Sequence, residues 1–427
     1  MHHIHKKQYL LCCAVLLLLL TAPLGAADFG LITNQYVEYG DTKSGVSGED
    51  PSVAYQADIL PRLSFLLGDV GDGIVSAGMT LGWDDGFYYV PELLRTELSL
   101  RFGNNRIKFG RTPYADPLGF IASGLFDGMQ YSCYSQAGTF SVGAWYTGLL
   151  YKENANITMT KHDQAVYESI IGYENFDDFR NTYFASRRLL ASFDWEHPSI
   201  GEVISLKAAL TGQVDFSQGA DFSKKNERYH SEYFSLKAGI PVKRFLFELG
   251  GSLEAAQSTA EKAKDTLHTM AFAFDMGIFW RLPTNINSRL SLTGSFASGT
   301  INNNDVVSAF VPITTTAYGD IFEAKLSGIT VLGLQYTARL HRVIGTSLSA
   351  SHFVRNDTET YRDYPVSAGK NSGHFLGTEF FGRLILSPVS DLQFNIGGGA
   401  FLPVIGDVSK EAKPLWRVEL TAIWAIF

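Results

Sequence analysis

At 427 residues, with only 18% charged residues, a formal charge of −8 and mean hydropathy near zero, the chain is far less apolar than a bundle of membrane helices. Its 30 phenylalanines, 20 tyrosines and 41 glycines make it far too aromatic for a disordered chain. A strand-rich protein remains, either a membrane barrel or a large secreted β-sandwich or β-helix.

The chain begins Met-His-His-Ile-His-Lys-Lys, runs apolar over 10–20, and reaches Asp28 through small residues that include Gly25 and Ala27. A basic start, an apolar stretch too short to span a membrane and small residues before a cleavage point predict a signal peptide over 1–27. Cys12 and Cys13 lie at the front of the apolar run, where a lipid-modified cysteine would have to follow it. Only Cys133 then remains, so no intramolecular disulfide is expected. No later apolar run approaches the ~18 residues of a membrane helix.

From residue 29 onward, segments of alternating polarity are predicted at 29–40, 54–67, 73–83, 92–102, 106–112, 126–134 and 139–149, then at 185–196, 203–215, 229–240, 244–255, 266–281 and 287–297. The last five are 320–340, 346–355, 375–387, 391–402 and 414–427. Tight turns such as Gly103-Asn104-Asn105 and Pro283-Thr284-Asn285 alternate with longer connections. The prediction is one domain over 28–427, an antiparallel up-and-down transmembrane β-barrel of 18 strands, with 16 also acceptable. Eight short periplasmic turns and nine longer extracellular loops would put both termini in the periplasm. The longest connection, 150–184, contains a helical pattern over 163–171 and is read as a constriction, a lid or a surface loop.

The terminal strand shows the alternation most clearly. Trp416, Val418, Leu420, Ala422, Trp424 and Ile426 are apolar, with Arg417, Glu419 and Thr421 between them. Trp416 and Trp424 are roughly 26 Å apart along the strand and about 20 Å apart across the membrane after a ~40° tilt, which suits the two edges of a hydrocarbon slab. Trp416, Trp424 and the terminal Phe427 mark it as the closing and assembly strand, although Phe427 has the parity of the inward residues.

A charge on the lipid face would cost ~2 to 4 kcal/mol at the bilayer midplane, so charged residues opposite apolar ones are assigned to the lumen. The basic set is Arg62, Arg95, Arg101, Arg106, Lys108, Arg188, Lys207, Lys237, Arg244, Arg289, Lys325, Arg339, Arg383 and Arg417. The acidic set is Asp58, Glu97, Asp194, Glu248, Glu254, Asp275, Glu323, Glu379 and Glu419. Basic residues outnumber acidic ones on the wall of an acidic chain, so the connections carry the negative charge. Either these groups pair across strands and select nothing, or a surplus of arginine favours anions in a water-filled passage.

The run Arg106-Ile107-Lys108-Phe109-Gly110-Arg111, a proline-bearing loop and Phe126-Asp127-Gly128-Met129-Gln130-Tyr131 resembles outer-membrane porins of the alginate-export and related substrate-specific kind. The resemblance covers ~30 residues. It implies an 18-stranded monomeric barrel with an arginine-lined lumen for anionic sugars or small acids, and it adds Arg111 to the lumen set.

The expected function is an outer-membrane channel for small hydrophilic solutes, anionic ones among them, in a diderm bacterium. Its expected partners are the lipid bilayer, the outer-membrane assembly machinery and a small-molecule solute, with no nucleic acid. A fatty-acid-type transporter and a surface adhesin or antigen remain alternatives. A siderophore-type transporter would need an N-terminal plug and ~22 strands. Catalysis is not expected: His352 has Ser349 and Ser351 nearby, but faces outward. The mature chain shows no cofactor motif and no histidine pair at metal-ligand spacing.

Overall fold

The computed structural model describes residues 26–41, 51–83, 86–159, 183–216, 228–259, 266–300, 307–358, 373–408 and 413–426. Residues 1–25 of the expected signal peptide, the helical pattern at 163–171 and Phe427 lie outside them.

The first ten strands are β1 (Ala26–Asp41), β2 (Ser52–Leu66), β3 (Gly71–Trp83), β4 (Phe87–Phe102), β5 (Asn105–Ala115), β6 (Ser123–Ser135), β7 (Gly138–Tyr146), β8 (Arg188–Ile200), β9 (Ile204–Asp215) and β10 (Arg228–Val242). The remainder are β11 (Phe245–Thr259), β12 (Leu267–Arg281), β13 (Arg289–Ala297), β14 (Ala317–Tyr318), β15 (Ala324–Lys325), β16 (Ile329–His341), β17 (Ile344–Arg355), β18 (Phe375–Val389), β19 (Leu392–Leu402) and β20 (Leu415–Ile426). Eighteen of these form one antiparallel sheet, each paired with its neighbour in sequence and β13 with β16. β20 pairs with both β19 and β1, which closes the barrel and leaves no free edge. Tyr39 and Trp416 meet edge to face across that seam at 5.2 Å. No described helix is long and apolar enough to cross a membrane, so any crossing is made by strands.

Eight connections are short turns at one end, here the turn end, and the longer ones gather at the loop end. Alternation sets the two faces of the wall. On β12, Met270, Phe274, Met276 and Ile278 are exposed outward, whereas Ala271 and Ala273 are buried. The same split leaves Leu420 and Trp424 outward on β20 with Glu419 buried.

Two strands depart from a simple alternation. In β4, Ala77 pairs with Leu93 and Ser76 with Arg95, so Leu94 is an extra residue. This bulge reverses the parity, and Glu92 and Arg95 end on one face. The segment read as one strand over 320–340 is divided: β14 and β15 form a separate hairpin, and the wall resumes only at Ile329. Glu323 and Lys325 therefore sit on an inserted loop and not on the wall. Gly328, at φ +59°, reverses the chain between the two parts without a Cβ penalty.

Candidate functional site

The inward faces of β2 to β5 place five cations side by side. Arg62 and Arg95 are both register partners of Ser76. Arg95 meets Glu97 at 2.6 Å, and Lys108 approaches the same carboxylate at 3.8 Å. Arg106 donates to Ser99 Oγ at 2.7 Å, and Arg101 pairs with Asp72 at 2.9 Å. Three of the five thus pair with two carboxylates, and Arg62 and Arg106 pair with none among the described residues. The other inward carboxylates of these strands are Asp58, which accepts from Asn34, Gln56 and Thr80, and Glu92, which accepts from Asn154.

A chord of chain, residues 307–328, leaves the wall after β13 and crosses the interior. At one end, Val311 N donates to Glu254 of β11 at 2.9 Å, and Tyr233 of β10 donates to Val311 O. At the other, the Glu379 carboxylate of β18 accepts the N–H groups of Asp320, Ile321 and Phe322 at 2.6, 3.0 and 2.9 Å. Arg417 of β20 donates to Asp320 O and pairs with Glu323 at 3.2 Å. Contacts to β11 and to β20, six wall strands apart, make this a span across the barrel and not a loop above its mouth. Burial raises the Asp320 carboxyl above the usual range, although the Arg383 and Arg417 charges oppose the shift.

Two further connections lock onto the chord. The Asp116 carboxylate accepts four N–H groups, from Leu118, Gly119, Ile121 and Ala122, and so folds the 116–122 turn upon itself. Burial still leaves that carboxyl above its ordinary range. Thr314 joins this turn to the chord, its Oγ1 accepting from Ser123 N at 2.9 Å and its N–H donating to Ile121 O at 3.0 Å. Thr158 N then reaches Ile313 O at 2.9 Å, which brings in the start of the long connection. Apolar packing completes the junction. Phe310 lies against Phe120 and Tyr233, and Phe322 stacks on Phe401 at 4.4 Å and meets Phe353 at 4.8 Å. Each such ring, removed from water, contributes ~1.5 to 3 kcal/mol.

Many of the inward charges are paired. Ion pairs join Arg383 to Glu419, Arg417 to Glu38, Lys237 to Glu248, Lys207 to Glu196 and Arg188 to Asp215. Asp275 accepts from Ser295, and Asp194 from Ser192 and Tyr114. By contrast Arg62, Arg106, Arg244, Arg289 and Arg339 have no carboxylate within ion-pair distance among the described residues. Arg62, Arg106, Arg289 and Arg339 lie in the turn-side part of their strands, and Arg244 lies in the turn before β11. Pairing uses acids along the whole wall, Glu196 and Glu248 on the turn side among them, and the arginines it leaves over gather towards the turn end.

Arg111 is placed differently from these. Its guanidinium makes a two-pronged contact with Asp127 at 2.9 and 2.8 Å, donates to Leu149 O at 2.9 Å and also reaches Leu93 O. Only 5% of the residue is exposed, and every prong is occupied. Gly110 and Gly128 are direct register partners, as are Arg111 and Asp127. A side chain at Gly110, which has φ +106°, would strike the Thr96 carbonyl of β4. The Gly-Arg and Asp-Gly pairs thus act as a clamp joining β4, β5, β6 and the connection after β7. Sequence reasoning found the motif but not the chord, nor Asp116, Thr314 and Glu38. Its nearest signal was the concentration of apolar residues between Phe310 and Leu326 in a stretch otherwise punctuated like a loop.

His352 bonds Thr378 at 2.8 Å on the outward parity of β17, while Ser349 donates to the Phe381 carbonyl. No Ser-His pair is assembled there. Among the described residues, no group of three or more His, Cys, Asp or Glu side chains is placed to hold a metal.

No protein-family pattern matches the chain, and no curated protein sequence does. Solved structures do. The outer membrane protein OpdK of Pseudomonas aeruginosa aligns with a TM-score of 0.60 at 10% identity over 94% of this chain and 99% of its own. OccK2 (OpdF) of the same organism, solved in complex with glucuronate, gives 0.59 at 13% identity over 94% and 98%. OpdK solved with vanillate gives 0.59 at 12% identity over 94% and 99%. The fold is the 18-stranded barrel of these proteins.

Proposed function

We propose that the chain is an outer-membrane porin through which small hydrophilic solutes diffuse, with a preference for those carrying a carboxylate. The observation that carries this reading is the set of five inward cations on β2 to β5, of which Arg62 and Arg106 have no carboxylate partner among the described residues. In a narrow passage with low-dielectric walls, such a surplus lowers the barrier for anions and raises it for cations. The ligands of the two Pseudomonas structures, glucuronate and vanillate, are both carboxylates, which agrees with the reading. On this reading the turn end faces the periplasm and the loop end the medium of a Gram-negative bacterium. The segment 1–27 is removed on export, and the terminal strand with Phe427 engages the assembly machinery. A fatty-acid route is disfavoured because the apolar rings of the interior are used up in packing the chord against the wall.

Liposome swelling tests the preference. With valinomycin present to carry the potassium counter-ion, potassium glucuronate is expected to enter at least as fast as glucose, a neutral sugar of similar size. Entry of glucose with glucuronate excluded would contradict it.

A further inference from the structure

The turn end holds a feature that the ladder on β2 to β5 does not include. Arg281 of β12 and Arg289 of β13 are direct cross-strand partners, and Arg281 N donates to Arg244 O at 2.9 Å in the turn before β11. Three arginines therefore stand together in a row, two on adjacent strands and one in the neighbouring turn. The outward neighbours Phe245 and Trp280 stack at 5.6 Å, which leaves Arg281 on the lumen parity. The Arg289 guanidinium lies 5.7 Å from the centre of the Phe279 ring, a shelf that holds its plane.

Like charges directly opposite one another destabilise a strand pair. Nothing among the described residues relieves this row. The one carboxylate lining the adjoining cavity of about 810 Å³, Glu248, is held by Lys237 at 2.8 Å. Arg244, Arg281, Arg289 and Lys243 line the same cavity, with Leu246 and Phe279 as its apolar floor. Guanidinium forks arranged around a concave space with an aromatic shelf suit a compact anion that presents several oxygen pairs at once.

We propose that this row is a binding site for a small multivalent anion, a di- or tricarboxylate or a phosphate, at the turn-side mouth of the barrel. Five wall strands, β6 to β10, separate it from the ladder. The proposal rests on the porin reading only for the direction in which a solute would reach the site. The site itself follows from the register of Arg281 with Arg289 and from the cavity they line with Arg244.

The probe is citrate, titrated calorimetrically at low ionic strength into the detergent-solubilised full chain. Its binding to wild type should weaken about tenfold or more in Arg281→Gln/Arg289→Gln, since each removes a charge-assisted bond. It should persist in Arg62→Gln/Arg106→Gln, which alters only the ladder. Heat-modifiable migration reports whether each variant is folded. Should the double variant fail to fold, Arg244→Gln carries the test, with the same loss expected. Unchanged citrate binding in the row variants, loss only in the ladder variant, or no citrate binding to wild type would each overturn the proposal. A wild-type channel with no anion preference that still binds citrate through the row would contradict the porin selectivity and leave this site standing.

Discussion

Deleting residues 309–326 and joining the flanks with a short Gly-Ser link is expected to raise single-channel conductance several-fold in a planar bilayer. The barrel closes without the chord, because β13 pairs directly with β16 over eight residue pairs and the closing seam between β1 and β20 lies elsewhere. What the deletion removes is the chain that crosses the interior. An 18-stranded barrel is wide enough to be an aqueous channel once nothing spans it. A point variant gives a graded form of the same result. In Glu379→Ala, three N–H groups lose their carboxylate acceptor. Hydrogen bonds to a charged group are worth ~1.5 to 3 kcal/mol each, so the Asp320 end should detach for part of the time. The expected record is a noisy channel that switches between the native level and a larger one. Conductance identical to wild type in the deletion would mean that the chord is not the constriction.

Reversing the sign of two ladder positions, Arg62→Glu with Arg106→Glu, is expected to turn anion preference into cation preference. These two were chosen because neither has a carboxylate partner among the described residues, so the exchange breaks no ion pair. It leaves Arg95, Arg101 and Lys108 among Asp58, Asp72, Glu92, Glu97 and two new carboxylates, which inverts the local balance. The effect should fade as salt rises, since ~1 M salt screens charges beyond ~3 Å. A reversal potential unmoved by the double change would show that selection occurs elsewhere, and the chord-side pairs Arg383–Glu419 and Arg417–Glu323 would become the next positions to vary.

Strand number, closure and the terminal strand were legible in the sequence because alternation has a period of two and lipid tolerates few charges on the outer face. Residues such as Met270 and Phe274 against Ala271 and Ala273 leave little choice of face. The same rule was blind where the backbone departs from a plain strand. The Leu93-Leu94 pair gives no sign that one residue is bulged out of register, although that bulge sets which residues beyond Leu94 join the ladder. The stretch over 320–340 keeps its alternation through an inserted hairpin and into the wall, so Glu323 and Lys325 looked like wall residues. Gly319 and Gly328, both at positive φ, are the breaks that separate the parts.

The site was legible as a charge surplus but not as an arrangement. Arginines can be counted in a sequence. Which of them acquire carboxylates depends on cross-strand register, and that left Arg62 and Arg106 without carboxylates while Arg383 and Arg417 became anchors for the chord through Asp320. Arg111 shows the limit of motif reasoning. Its neighbours Gly110, Asp127 and Gly128 are arranged to hold a buried clamp, so a residue type that suits a lumen is here fully engaged with the fold.

The role of the ladder depends on whether the interior favours anions. The most direct measurement is the zero-current potential of the wild-type protein in a planar bilayer under a tenfold potassium chloride gradient. The expected result is a potential of the sign that chloride permeation gives, decreasing as the mean salt concentration rises. A potential of the potassium sign would contradict it, and with it the role assigned to the ladder on β2 to β5.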